Sequence, residues 1–277
     1  MKLATFTHGD RTRLGQIIDD EIYEMAWPDS MQAAVRRGMT PSRGSVHFKL
    51  DDVKFDAPLR PGKIIAIGLN YADHAKELAF KPPTEPLAFL KGEGSLIGHD
   101  AHTLRPAGVA FMHYECELAV VVGRTARRVR PEDALDFVGG YTVANDYAIR
   151  DFLENWYRPN LRVKNRDTCT PLGPWFVPAA AVPDPQALAL RTTVNGTVTQ
   201  QGHTRDMIFG VADLIAHFSG FMTLEPGDLI LTGTPDGVVN VQPGDVVVTE
   251  IEGIGALRNT LVDRLSANPT AHHPAQP

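Results

Sequence analysis

The stretch His113-Tyr-Glu-Cys-Glu-Leu-Ala-Val-Val-Val-Gly123 places two acidic residues at the head of an apolar, valine-rich segment. This pattern predicts a β-strand, in which successive side chains alternate between the two faces. Glu115 and Glu117 then share one face, while Cys116 points to the other. Carboxylates this close raise each other's pKa unless a cation lies between them, and oxygen ligands suit magnesium, calcium or manganese.

A third carboxylate is expected at the end of the next β-prone run, Gly140-Tyr-Thr-Val-Ala-Asn-Asp146. Its Val, Thr and Tyr residues favour a strand, and Asp146 falls where that strand would meet a loop. The sequence therefore predicts a metal site formed by Glu115, Glu117 and Asp146. The alternative is that both glutamates face water on an edge strand.

The composition is that of an ordinary globular protein, with 277 residues of which 43% are hydrophobic and 22% charged. A formal net charge of −6 and the lack of a Lys/Arg-rich run argue against nucleic acid and anionic membranes as partners. The N-terminus lacks a signal-peptide pattern, and no apolar stretch approaches the roughly 20 residues of a membrane-spanning helix. We expect a cytoplasmic protein that acts on a small molecule.

The organisation of the chain follows from its turn signals and composition. Short β-prone runs predict an antiparallel meander in the first 25 residues, followed by a helix that Asp29 or Ser30 caps and that ends near Gly38. The polar stretch up to Leu59 has the composition of a linker. We expect a small N-terminal β domain at residues 1–59, a main domain at 60–265 and a disordered tail at 266–277. The alternative is that the first segment is one layer of a single domain.

The main domain reads as mainly β with short helices, an α+β class. Asn195-Gly196 is a strong hairpin signal between two β-prone runs, and a helix is expected from about residue 211 to 221. A helix is also expected at residues 71–78, where His74 and Glu77 lie three positions apart on one face. They could form a general-base pair or an ordinary surface pair. Lys91, at the end of a short strand, could hold a substrate carboxylate or face solvent.

Several motifs in order along residues 60–262 resemble the fumarylacetoacetate hydrolase family. They are Gly-Leu-Asn-Tyr-Ala-Asp-His74, Phe-Leu-Lys91, His-Tyr-Glu115-Cys-Glu117-Leu, Gly-Gly-Tyr-Thr-Val-Ala-Asn-Asp146-Tyr-Ala-Ile-Arg150-Asp, Lys164-Asn-Arg-Asp and Gly-Asp-Leu-Ile-Leu-Thr-Gly-Thr234-Pro. Within the family, residues 147–164 look most like the isomerase/decarboxylase branch of homoprotocatechuate breakdown, whose members can occur as two tandem halves.

The resemblance implies a mixed β-roll fold, a homodimer, and Mg²⁺, with Mn²⁺ possible, held by the three carboxylates. It also implies a lid helix bearing His74 and Glu77, and an active-site lysine at Lys164. Lys91, Arg150, Tyr157 and Thr234 fall where relatives contact substrate.

The implied activity is decarboxylation or isomerisation of an unsaturated 2-oxo (2-hydroxy-dienoic) di- or tricarboxylate in aromatic catabolism. The metal would draw charge onto itself as an enolate forms, and His74 or Lys164 would deliver a proton. The alternative is an acylpyruvate or fumarylpyruvate type hydrolase, in which His74 and Glu77 activate water. A different class is a catalytically silent, metal-stabilised dimer.

The segment Leu161-Arg-Val-Lys164 alternates apolar and cationic residues, which predicts a strand with Arg162 and Lys164 on one face. A lysine held among cations and near a divalent metal should have a lowered pKa, which suits proton delivery to an enolate.

The first prediction concerns the His74 and Glu77 pair. If it is a catalytic pair, His74→Ala should lower kcat by about 10² to 10⁴ while Mg²⁺ affinity stays near that of the wild type. Steady-state kinetics and a metal titration measure the two effects. A decrease in kcat of less than roughly threefold would instead indicate that His74 and Glu77 are an ordinary surface pair.

Overall fold

Strands dominate the computed structural model, which describes residues 1–28, 30–38, 42–72, 83–153 and 160–263. In chain order the strands are β1 (Lys2–His8), β2 (Arg11–Ile18), β3 (Glu21–Trp27), β4 (Ser42–Lys49), β5 (Lys54–Phe55), β6 (Ile64–Gly68), β7 (Leu87–Lys91), β8 (Leu96–Ile97), β9 (His102–Leu104), β10 (Met112–His113), β11 (Cys116–Val122), β12 (Val138–Asn145), β13 (Ala148–Ile149), β14 (Thr170–Pro178), β15 (Ala189–Val194), β16 (Thr197–His203), β17 (Leu229–Leu231), β18 (Val246–Ile251) and β19 (Gly255–Val262).

Within the described residues, these strands form three sheets. The largest has twelve strands and the order β4-β3-β2-β1-β14-β12-β11-β17-β6-β7, with β5 on β1 and β8 on β14. A five-stranded sheet has the order β16-β15-β18-β19-β9, and β10 pairs with β13 alone. Most pairs are antiparallel, whereas β17 with β6, β14 with β8 and β19 with β9 are parallel. The predicted class, mainly β with mixed sheets, is confirmed.

The central strand β11 is buried on both faces, which explains its unbroken apolar run. Cys116, Leu118 and Val120 pack into one hydrophobic core, while Ala119 and Val121 pack into a second core on the opposite face. Because Glu117 has the same parity as Ala119, it lies on the face opposite Cys116, as the period of two predicts. The carboxylate is thus carried into the interior by its strand.

Short helices complete the fold: α1 (Met31–Arg37), α2 (Leu161–Lys164) and α3 (Val211–Phe221), with 3₁₀ turns at Leu50–Asp52, Glu93–Ser95, Pro131–Phe137, Arg150–Phe152, Ala179–Ala181 and Thr204–Asp206. Ser30 caps α1 through its hydroxyl and the helix ends at Gly38, as predicted; Gly38 adopts the left-handed conformation. The apolar side of α3 covers the first core with residues at helical spacing, among them Leu214 and Phe218.

The hairpin predicted at Asn195-Gly196 is confirmed between β15 and β16. Both residues have positive φ, 50° and 80°, which a tight two-residue hairpin turn requires. The turn brings β16 back along β15, so that residue 200 faces the interior rather than solvent.

The N-terminal meander is confirmed as β1, β2 and β3, but the linker expected up to Leu59 is wrong, because it contains β4 and β5. β4 is an edge strand with mostly exposed side chains, so it lacks the apolar alternation by which strands are recognised. The meander joins the large sheet through the pairing of Leu3 with Phe176. The boundary near residue 60 stays a prediction.

Among the described residues, every helix is too short or too polar to cross a membrane.

The second prediction tests the close packing of β12 against β14. A Cβ at Gly140 would overlap the Val177 carbonyl oxygen and the Phe176 ring. Gly140→Ala should therefore lower the free energy of unfolding by about 1–3 kcal/mol or more. Gly220→Ala is the matched control: a Cβ there meets nothing within 4 Å in the exposed last turn of α3, so it should be neutral or stabilising. Urea unfolding of both variants makes the comparison, and equal stabilities would contradict this packing.

Candidate active site

Three carboxylates converge where β11 begins and β12 ends. The strands pair antiparallel with Cys116 opposite Asn145, and the Asp146 N–H donates to the Glu115 carbonyl at 3.0 Å. This register sets Glu115 beside Asp146, and the side-chain oxygens of Glu115, Glu117 and Asp146 lie within 4.8 Å of one another. The structure thus brings together the acidic trio that the sequence predicts. The edge-strand alternative is wrong, because β11 lies between β12 and β17.

Glu117 is the innermost of the three, with no exposed surface. Its Oε2 accepts the Gly233 N–H at 2.7 Å, while Oε1 has no hydrogen-bond partner within the described part of the chain. Burial, and then the charges of Asp146 and Glu115, hold the pKa of Glu117 well above its ordinary value. An ionised Glu117 therefore needs an additional positive charge close to it.

The donor set fits a hard divalent cation. All three side chains offer carboxylate oxygens, which suit Mg²⁺, Mn²⁺ or Ca²⁺ rather than a metal that prefers sulfur or imidazole. Oε1 of Glu117, which has no partner among the described residues, points to the same conclusion, because a bound cation would satisfy it. The residues present therefore fit the metal that the sequence analysis expects.

Lys164 contacts two of the carboxylates directly. Its Nζ donates to Glu115 Oε2 at 2.6 Å and to Asp146 Oδ2 at 2.9 Å. The prediction of a lowered Lys164 pKa is wrong for this structure. Burial by itself lowers that pKa, but the negative charges of Asp146, Glu115 and Glu117 outweigh burial and raise it above its ordinary value.

The strand predicted for residues 161–164 is also wrong, because these residues form α2 after Asn160 in the left-handed conformation. Positions two apart do not share a helix face. Lys164 is accordingly buried, whereas Arg162 is exposed with its guanidinium 3.8 Å from the centre of the Phe152 ring. Arg162 is not part of the acidic site.

Lys91 lies beside Asp146 with a fully buried side chain. Its Nζ donates to Asp146 Oδ1 at 2.5 Å and also to the backbone carbonyl of Lys164. The alternative that Lys91 ends its strand in solvent is therefore wrong. A contact between Lys91 and substrate stays a prediction, and in this structure its charge stabilises Asp146.

Arg150 begins the 3₁₀ turn after β13, and Thr234 lies in the loop after β17. The Arg150 Nε–H donates to His113 Nε2 at 3.0 Å, and His113 Nδ1–H donates to the Tyr114 carbonyl at 3.0 Å. Burial lowers the pKa of His113 to about 4, so the imidazole is neutral and able to accept from Arg150. Thr234 follows Gly233, whose N–H binds Glu117.

His113 was not predicted to be functional, although it begins the stretch 113–123 that carries Glu115 and Glu117. Its position two residues before Glu115 is the feature of the sequence that could have indicated a place in the site. His74, Glu77 and Tyr157 lie outside the described residues, so their roles stay predictions.

Residues 63–262 match the family model described as fumarylacetoacetate (FAA) hydrolase C-terminal. The chain belongs to the fumarylacetoacetate hydrolase family. Its acidic trio, Lys91, Arg150, Lys164 and Thr234 all fall within the matched residues, and the predicted family is confirmed.

Relatives in this family include enzymes of aromatic degradation. Over 207 residues the chain is 58% identical to the 4-hydroxyphenylacetate degradation bifunctional isomerase/decarboxylase of Salmonella dublin, a match that covers 75% of this chain and 48% of that protein. The chain thus spans about half the length of the curated isomerase/decarboxylases that it matches. The predicted resemblance to this branch of the family is confirmed.

Solved structures of the family share the fold. The 5-carboxymethyl-2-hydroxymuconate delta-isomerase of Mycobacterium smegmatis superposes with a TM-score of 0.81 at 36% identity, covering 95% of this chain and 99% of that one. Maleylpyruvate hydrolase of Sphingobium sp. SYK-6, solved with manganese(II) and pyruvate, gives 0.79 at 34% identity, with 95% and 99% coverage. The predicted family fold is confirmed.

The third prediction concerns metal binding by Glu117. Glu117→Gln keeps an acceptor for Gly233 but removes the charge, so Mn²⁺ affinity should fall on the order of a hundredfold or more, as for a buried ion pair that loses one partner. Isothermal titration calorimetry measures the affinity. Glu132→Gln, at an exposed position, is the control and should bind Mn²⁺ like the wild type. Equal affinities in the two variants would remove Glu117 from the metal site.

Proposed function

We propose that this chain is a metal-dependent enzyme of aromatic catabolism that decarboxylates or isomerises an unsaturated 2-oxo di- or tricarboxylate. The observation that carries the proposal is the convergence of three carboxylates and a buried lysine in a chain 58% identical over 207 residues to a protein named isomerase/decarboxylase. A substrate with several carboxylates also accounts for Arg150 and the lysines around the acidic trio.

Glu115, Glu117 and Asp146 would hold Mg²⁺, or Mn²⁺, which when bound supplies Lewis-acid stabilisation of the negative charge that develops on a 2-oxo acid. The support for Mn²⁺ is the family structure solved with that ion.

Lys164 is the residue to which we assign proton delivery. Its side chain keeps 9% exposure beside Glu115 and Asp146, whereas the side chain of Lys91 has none. Of the two lysines, Lys164 is therefore the one that a ligand at the carboxylates can reach. The carboxylates of Glu115 and Asp146 accept from its Nζ and so favour the protonated ammonium, which is placed to begin the reaction as an acid.

Arg150 and Thr234 are assigned to binding the carboxylates of the substrate. Arg150 has one N–H engaged by neutral His113, which orients the guanidinium without cancelling its charge. Lys91 fixes Asp146 and the backbone of Lys164, so its contribution is to hold the metal ligand and the proton donor in place. Tyr157 keeps its predicted role in substrate binding, and His74 with Glu77 their predicted catalytic role on a lid.

A hydrolase that cleaves a carbon–carbon bond is the second candidate. The observation that favours it is the similarity to maleylpyruvate hydrolase, at a TM-score of 0.79 and 34% identity. Product analysis separates the two functions: with Mg²⁺ and a tricarboxylate 2-oxo acid, a decarboxylase releases carbon dioxide, whereas an acylpyruvate hydrolase releases pyruvate from its substrate. A protein that binds metal tightly and turns over neither substrate would favour the catalytically silent dimer.

The chain corresponds to about half of its isomerase/decarboxylase relatives, and we propose that two copies associate as a homodimer. Light scattering on the purified protein measures this, with a mass near twice 30.3 kDa expected.

The fourth prediction tests Lys164. Lys164→Met keeps much of the side-chain length but removes the charge and the proton, so kcat/KM for a 2-oxo tricarboxylate should fall by about 10² or more. Calorimetry should still detect bound Mn²⁺, because the three carboxylates remain. Lys49→Met is the matched control at an exposed position and should keep full activity. Activity of Lys164→Met close to that of the control would remove Lys164 from the mechanism.

A further inference from the structure

The loop after β17, with the sequence Thr232-Gly-Thr-Pro-Asp-Gly237, is fixed at both ends. Gly233 donates its N–H to Glu117 Oε2, which links the loop to the carboxylates. Gly237 accepts a hydrogen bond from the Tyr114 hydroxyl at 3.1 Å. β16 packs against the loop so closely that a Cβ at Gly202 would lie 2.7 Å from Pro235. Thr234 is therefore held in one place by several neighbours.

Gln200 of β16 contacts the middle of this loop through a buried side chain. Its Nε2 donates to Thr234 Oγ1 at 2.9 Å and to the Pro235 carbonyl at 2.8 Å, while its Oε1 accepts from the Thr192 hydroxyl at 2.9 Å. The Pro235 carbonyl can only accept, so the group that faces the loop must be the NH₂ of the amide. The orientation of the Gln200 amide is therefore fixed: its NH₂ group faces the loop and donates both hydrogen bonds.

The direction of these bonds fixes the role of the Thr234 hydroxyl. A hydroxyl carries one hydrogen, and here its oxygen already accepts from Gln200. Gln200 occupies one of the two lone pairs of that oxygen and leaves the hydrogen to donate, so a substrate group that meets this hydrogen must be an acceptor, such as a carboxylate oxygen. An amide NH₂ placed against the Thr234 hydrogen would oppose one donor to another and would lose this hydrogen bond.

We infer that Gln200 is a positioning residue that makes Thr234 a hydrogen-bond donor and thereby selects a carboxylate over an amide at that part of the substrate. This inference rests on the proposed function, in which Thr234 contacts a 2-oxo acid.

The experiment compares Gln200→Met, Thr234→Val and the double variant, with kcat and KM measured for a 2-oxo acid that the wild type turns over. Gln200→Met should raise KM about tenfold, the size expected for one hydrogen bond to a charged group, and leave Mn²⁺ affinity unchanged. In the Thr234→Val background the same change should alter KM less than twofold. A purely structural role of Gln200 would raise KM in both backgrounds and would overturn the inference.

Gln201→Met, on the exposed face of the same strand, is the matched control and should leave KM unchanged. If Gln200→Met does not fold, Gln200→Asn replaces it, because it keeps a neutral amide but shortens the side chain by one methylene. The shorter amide would no longer reach Thr234 Oγ1, and KM should again rise about tenfold, only when Thr234 is present. Unchanged KM in the Gln200 variant overturns the inference alone, whereas absence of turnover by the wild type with every 2-oxo acid overturns the proposed function and the inference with it.

Discussion

The confinement of three carboxylates within the protein interior is the constraint on which the rest of the site depends. Like charges this close repel strongly where water is excluded, and each ionised group loses its hydration. The chain offsets part of this cost with the Gly233 N–H on Glu117 and with Lys164 and Lys91 on Glu115 and Asp146. Within the described ranges Oε1 of Glu117 has no hydrogen-bond partner, and burial with the neighbouring charges raises the pKa of Glu117, so the compensation is incomplete. A divalent cation is the simplest species that completes it.

The groups around the carboxylates divide into charged residues and neutral residues that orient them. Lys91 is wholly buried and stabilises Asp146, while Lys164 retains exposure and is placed to act. Arg150 is paired with neutral His113, and by the inference above Thr234 is paired with neutral Gln200. A neutral partner orients a side chain without neutralising a charge. The side chains that would contact an anionic substrate therefore keep their electrostatic attraction for it.

The sequence predicts the parts of the site that depend on the alternation of side chains along a strand or on the position where a strand ends. Glu115, Glu117 and Asp146 follow from alternation along β11 and from the end of β12, both of which depend on local backbone geometry. The conformation of residues 161–164 could not be predicted, because a four-residue alternation fits a strand or a helical turn and tertiary contacts decide between them. The sign of the Lys164 pKa shift depends on which charges the fold places beside it. Gln200 gave no signal, because a single glutamine in a hairpin strand has no partner at a fixed spacing, and Thr234 lies 34 residues away.

Anomalous diffraction from crystals soaked in Mn²⁺ and recorded at the manganese edge would test the central claim most directly, because it locates the ion without reference to activity. We predict one strong peak per chain, enclosed by the side-chain oxygens of Glu115, Glu117 and Asp146, which disappears in Glu117→Gln crystals soaked identically. A peak elsewhere, or none at these carboxylates in the wild-type chain, would contradict it.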